Sequence, residues 1–179
     1  GELLQIEKAR RLDIVEEVYF EIIRKKTASL IAACCAVGCA SVSNDKALIK
    51  KMWDFGEAIG IAFQIKDDLF DYQKQGILGK PVGIDIKEKK RTLPLIHALQ
   101  ICDSQTRKKM IRITKKHYDK PKKVAEVIAF VKQMGRLEYA KKRMYEYQDK
   151  ALDMLIDVPP SETKDSLLTL IRYVIDRKK

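Results

Sequence analysis

The sequence predicts an all-α protein, a helical bundle, on three grounds. Apolar residues recur at helical spacing along most of the 179 residues, and no stretch alternates apolar with polar as a half-buried strand would. The stretch WDFGEAIGIAFQIKDDLFDY, Trp53 to Tyr72, is apolar on nearly every side, which requires other helices around it. With 46% hydrophobic and 34% charged residues the chain reads as an ordinary globular protein rather than a disordered one, and as a single all-α domain over 1–179.

Gly1 to about Lys25 places Leu12, Val15, Val18, Tyr19, Ile22 and Ile23 at helical spacing among charges, an amphipathic helix or helix pair. Lys25 to about Val42 is rich in Ala, Ser, Cys and Gly, so neighbouring helices can approach it closely. Ser43-Asn44-Asp45 offers helix-capping oxygens, and a central helix follows from about Lys46 to Gln73. From Lys74 to Arg91, Gly76, Gly79, Pro81 and Gly83 punctuate a lysine-rich loop. Further helices are expected from Pro94 to about Ile101, Thr106 to His117, Lys122 to Ile156, and Ser161 to Asp176, the last started by Pro159-Pro160-Ser161.

The formal charge of +11 points to an acidic partner: nucleic acid, an anionic membrane surface or a phosphorylated substrate. Much of the excess lies at Arg107, Lys108, Lys109, Arg112, Lys115, Lys116, Lys120, Lys122 and Lys123, which reads as a solvated basic face. Cys34, Cys35, Cys39 and Cys102 lack paired metal-ligand spacing and are expected to be small buried hydrophobes in a reducing compartment. The uncharged run from Ala28 to Val42 is shorter than the roughly 20 residues a spanning helix needs. No secretory signal is visible, so a cytoplasmic location is expected. His97 and His117 are isolated and expected to be structural or solvated.

The central stretch carries the chemistry. At 100° per residue, Gly56, Gly60, Gln64, Asp67, Asp68 and Asp71 share one narrow sector. Ala58, Ile61, Ile65 and Leu69 run down one flank, and Met52, Ile59, Phe63 and Phe70 down the other. Three neighbouring carboxylates repel one another, and burial without compensation costs several kcal/mol, so a cation is expected among them. Oxygen-only donors suit Mg²⁺, which takes one or two carboxylates and completes its shell with water and substrate phosphates. The competing reading is a solvated acidic helix end.

Phe63-Gln64 before the aspartates, Lys26-Thr27-Ala28, Gly79-Lys80-Pro81, Gly83-Ile84-Asp85 and Thr92-Leu93-Pro94 together resemble the trans-isoprenyl diphosphate (polyprenyl) synthases. The resemblance covers essentially the whole chain, and its opening, Gly1 to Gln5, is similar to a block in the interior of those proteins. It implies the C-terminal half of an isoprenoid-synthase-like fold. It also implies prenyl transfer, in which isopentenyl diphosphate condenses with an allylic prenyl diphosphate to give a longer all-trans polyprenyl diphosphate.

Carried over residue by residue, the resemblance makes Asp67, Asp68 and Asp71 the Mg²⁺ ligands. Lys26, Thr27, Gln64, Lys80 and Lys90 become the residues that hold the allylic diphosphate, with Lys26 and Lys80 the catalytic cations. Phe63 and its neighbours would keep water away from the reacting carbon. One departure stands out: Lys89 occupies the place where the family usually has Gly before its second lysine. A first aspartate-rich motif and the isopentenyl-diphosphate site belong to an N-terminal half not found in this sequence. These 179 residues alone are therefore expected to be inactive.

A homodimer, and peripheral membrane contact for product release, are further expectations from the resemblance. Product length is not legible. The alternatives are a noncatalytic or regulatory subunit of a heteromeric prenyl synthase and, more remotely, a basic helical nucleic-acid-binding module, for which no recognised motif or aromatic platform is present.

Overall fold

The computed structural model describes residues 15–73 and 82–177. Its elements are α1 (Glu16–Ile23), a π-helical turn (Arg24–Ala28), α2 (Ser29–Ala40), α3 (Lys46–Phe70), α4 (Ile84–Lys87), α5 (Leu93–Ile101), α6 (Ser104–Lys116), α7 (Pro121–Gln133), α8 (Arg136–Asp153) and α9 (Glu162–Asp176). No strand occurs among the described residues. The predicted all-α class holds.

Capping decides several boundaries. Asp45 Oδ1 accepts from the amides of Ala47 and Leu48 at 2.8 and 3.3 Å and starts α3, as expected. Ser161 Oγ accepts from the Lys164 amide at 3.2 Å and starts α9. Asp103 Oδ1 accepts from Gln105 and Thr106, both at 2.9 Å, so α6 begins at Ser104 rather than Thr106. Such a cap is worth about 1 kcal/mol.

Three expectations are corrected. The central helix stops at Phe70, not Gln73, because the amides of Asp71, Tyr72 and Gln73 bond to carbonyls three residues back, tightening the chain out of the α register. The helix expected over Lys122–Ile156 is two helices, α7 and α8. Gly135 adopts φ 67°, a left-handed conformation that ends α7, and its amide bonds to the Lys132 carbonyl at 2.9 Å. The stretch read as unbroken loop contains the one-turn α4.

The described residues fall into two compact units, one of residues 21–66 with 142–177, the other of 15–20, 67–73 and 82–141. In the first, the pattern of α3 is realised: Phe55, Ala58, Ile61, Ala62 and Ile65 are buried. Its small-residue sector faces the π turn and α2. A Cβ on Gly60 would lie 2.5 Å from Ala28 Cα, closer than any real contact allows, so only glycine lets the backbones meet here. Ile171, Val174 and Ile175 of α9 share a small apolar crevice with Ile59 and Ala62 of α3 and Gln148 of α8. Arg177 lies 3.9 Å over the Phe63 ring and donates to the Phe63 carbonyl at 3.1 Å, tying the end of α9 to α3.

The cysteines are not the buried group expected. Cys34 is exposed, Cys35, Cys39 and Cys102 are half-buried, and all four are free thiols. The reason is that α2 packs through Ala32 and Ala36, continuing from Ala28, while its far side presents Leu30, 69% exposed, with Cys34 and Val37.

In the second unit, Ile86 of α4, Leu95 and Leu99 of α5, Met110 and Ile113 of α6, and Val127 and Val131 of α7 form a continuous core that reaches Tyr72. The basic run is partly consumed within this unit. Lys109 and Lys123 pair with Glu126 at 2.6 and 2.8 Å, and Arg107 donates to the carbonyls of Leu99 and Gln100. His97 stacks on Tyr139 at 3.6 Å with Arg136 beside it, a packing role.

One substitution at two glycines tests this packing. Gly60→Ala should destabilise by about 1–3 kcal/mol through overpacking. Gly38→Ala, with nothing within 4 Å of the added carbon, should stabilise α2 by about 0.5–1 kcal/mol. Chemical denaturation checks both signs.

Candidate functional site

In the first unit, the predicted diphosphate residues Lys26 and Thr27 lie on the π turn, where the Ser29 amide bonds five residues back to the Arg24 carbonyl. Such widened turns recur at functional sites because they push a side chain out of helical register. Thr27 Oγ1 donates to Gln64 Oε1 of α3 at 2.8 Å, so two of the predicted residues are joined directly. Lys26 is exposed on the same turn. Arg24 pairs with Glu57 of α3 at 3.1 Å, a second tie between the two elements.

The acidic end belongs to the second unit. Asp68 is 6% exposed and Asp71 5%, which rules out a solvated helix end for these two. Burying two carboxylates costs several kcal/mol unless donors replace water, and the donors are present. Tyr19 of α1 donates its hydroxyl to Asp68 Oδ2 at 2.7 Å. Burial and the Asp68 charge hold that phenol well above the ordinary tyrosine value, so it keeps the proton it donates. The Ile84 and Asp85 amides donate to Asp71 Oδ1 and Oδ2 at 2.8 and 3.2 Å, and Gly83 N to the Asp71 carbonyl at 3.0 Å. Asp71 thus fixes the loop's return to α4. Behind it, Tyr72 and Thr92 join their hydroxyls at 2.7 Å.

Two further charges complete this end. Asp85, half-buried, has its carboxyl raised by burial and then by the Asp71 charge, with Lys90 opposing. Lys90 sits 2.5 Å from Glu88 and 3.6 Å from Asp85. Burial lowers that ammonium, but the bonds to Glu88 and Asp85 outweigh it and hold it above the ordinary lysine value. Asp67 is half-buried. Lys80 lies outside the described residues. Tyr19 and Asp85 were not singled out from the sequence as site residues: Tyr19 merely fitted the apolar stripe of its helix, and Asp85 sat in a loop motif with no role of its own.

Among the described residues, no group of three or more His, Cys, Asp or Glu is arranged to hold a metal unaided. The donors that are present are carboxylate oxygens, those of Asp67, Asp68 and Asp71 together with Asp85, whose carboxyl is raised first by burial and then by the Asp71 charge. That fits a hard ion completing its shell with water and phosphate oxygens, and not zinc.

Lys89, the residue before Lys90, adopts φ 58°. A left-handed lysine carries strain of roughly 1–2 kcal/mol, offset in part by its ammonium 4.1 Å over the Tyr118 ring. The residue beside Lys90 therefore keeps a glycine-like backbone without being glycine.

A helical fold whose longest helix ends in buried, donor-held aspartates, followed by a short capped turn bearing a paired lysine, defines an isoprenoid-synthase-like protein. The polyprenyl synthetase family profile matches residues 1–131, and the chain belongs to that family. It is 35% identical over 179 residues to the short chain isoprenyl diphosphate synthase of Methanothermobacter thermautotrophicus, covering 99% of this chain and 54% of that one. The crystal structure of geranylgeranyl pyrophosphate synthase from Bacteroides thetaiotaomicron superposes with a TM-score of 0.91 at 40% identity, over 99% of this chain and 59% of that one. A polyprenyl synthase from Caulobacter crescentus, solved with calcium and isoprenyl diphosphate, superposes with a TM-score of 0.89 at 29% identity, over 100% of this chain and 55% of that one. The chain thus spans little more than half the length of these relatives.

Two measurements test this geometry. Lys89→Gly should be more stable than Lys89→Ala by about 1 kcal/mol, since both lose the Tyr118 contact and only glycine relieves the backbone. For Asp85, a raised folded-state value means that ionisation costs stability above it. Asp85→Asn should then raise Tm near neutral pH, and the gain should fade as pH falls through the raised value toward the ordinary 3.8.

Proposed function

We propose that the protein carrying this chain is a prenyltransferase that condenses isopentenyl diphosphate with an allylic prenyl diphosphate to give a longer all-trans polyprenyl diphosphate. The observation that carries the reading is the acidic end of α3, where Asp68 and Asp71 are buried, Asp68 accepting from the Tyr19 hydroxyl and Asp71 from the Ile84 and Asp85 amides. Family membership and the 35% identity to an isoprenyl diphosphate synthase support it.

In this reading Asp67, Asp68 and Asp71 hold Mg²⁺. When bound, that ion draws charge from the diphosphate leaving group. The chain's own residues do the rest. Lys26, Lys80 and Lys90 bring positive charge to the diphosphate oxygens as the allylic C–O bond breaks, with Lys26 and Lys80 as the catalytic cations. Thr27 and Gln64, already joined, orient those oxygens. Charge placed in advance in a low-dielectric site costs no reorganisation when the bond breaks. Phe63 excludes water from the allylic cation that forms, before the isopentenyl diphosphate double bond attacks it and the resulting cation loses a proton to the released diphosphate, giving the new double bond. Homodimerisation and peripheral membrane contact for product release belong to the same proposal.

Asp67→Ala in the whole protein should lower magnesium-dependent turnover at least about a hundredfold while leaving the helical circular dichroism intact. Unchanged turnover overturns the assignment. Turnover that appears only on mixing with a second chain points instead to a noncatalytic subunit.

A further inference from the structure

We propose that Tyr19 is a positioning residue for the cation site, orienting Asp68 through its hydroxyl so that the carboxylate is set for a divalent ion before the ion arrives. This rests on the reading of Asp67, Asp68 and Asp71 as cation ligands.

Tyr19 is 3% exposed and its hydroxyl lies 2.7 Å from Asp68 Oδ2, a short contact with good reach for a charge-assisted bond. The two residues stand 49 positions apart, so the bond is a tertiary choice and not an accident of helical spacing. The ring is locked as well: Phe20 meets it edge-on at 5.4 Å, and the residue sits on α1 within the same unit as Asp68. A phenol fixed in this way restricts the rotation of the carboxylate it touches and neutralises part of its charge without supplying a competing cation. The hydroxyl fixes which way Asp68 Oδ2 faces.

Asp71 is organised by a different device. Its two oxygens accept from the backbone amides that open α4, so its position is tied to the start of that helix. Asp68 instead answers to a side chain on α1. Groups that hold a metal ligand from behind typically contribute about 10–100-fold in metal affinity.

The test is Mn²⁺ binding to the whole protein, read by electron paramagnetic resonance, for wild type, Tyr19→Phe, Asp68→Asn, the double variant and Asp67→Asn, with Tm recorded for each. Tyr19→Phe should weaken Mn²⁺ binding about tenfold. In the Asp68→Asn background it should cause no further loss, since a residue that acts through Asp68 has nothing left to orient. A lowered Tm with wild-type affinity would make Tyr19 a packing residue only, and fully additive losses would place its effect elsewhere. Either result overturns the proposal. If Asp67→Asn and Asp68→Asn both bind Mn²⁺ like wild type, the ligand assignment itself fails, which separates that failure from one of Tyr19 alone.

Discussion

Everything at the end of α3 follows from the cost of taking carboxylates out of water. An ionised group in a protein interior must be given donors, a counter-charge or a proton. Among their donors, Asp68 has a tyrosine hydroxyl and Asp71 two backbone amides. Asp85 shows the same cost: its carboxyl is pushed upward first by burial and then by its acidic neighbour.

The same economy appears in the backbone. Gly60 carries no side chain where α3 meets the π turn, which brings the turn bearing Thr27 within reach of Gln64. Lys89 accepts a left-handed conformation beside Lys90, stabilised by the face of Tyr118. Close packing and backbone strain thus fall beside residues that the proposed function uses, Thr27 and Gln64 in one unit and Lys90 in the other.

Much of this was legible in the sequence. Apolar spacing located the core of α3, because burial is what that spacing records, and Asp45 and Ser161 announced their helices through side-chain oxygens. The motifs around Lys26, Gln64 and Asp67 pointed to the family. Other features were not legible, for physical reasons. The break at Gly135 was hidden because apolar residues on either side continue a helical pattern, and only the backbone angle reveals the stop. The exposure of Cys34 was hidden because small apolar residues look alike whether they face a neighbouring helix or solvent. Tyr19 was hidden because its partner lies 49 residues away, and helical periodicity carries no information over that distance.

The central claim is that the buried carboxylates at the end of α3 exist to hold divalent cations against a diphosphate. Crystals of the whole protein grown with Mn²⁺ and an unreactive allylic diphosphate analogue would test it through anomalous scattering. The account predicts a manganese peak bonded to a carboxylate oxygen of Asp67, with diphosphate oxygens completing its shell. Manganese and analogue bound elsewhere, with Asp67 and Asp68 touching neither the ion nor the waters around it, would contradict it.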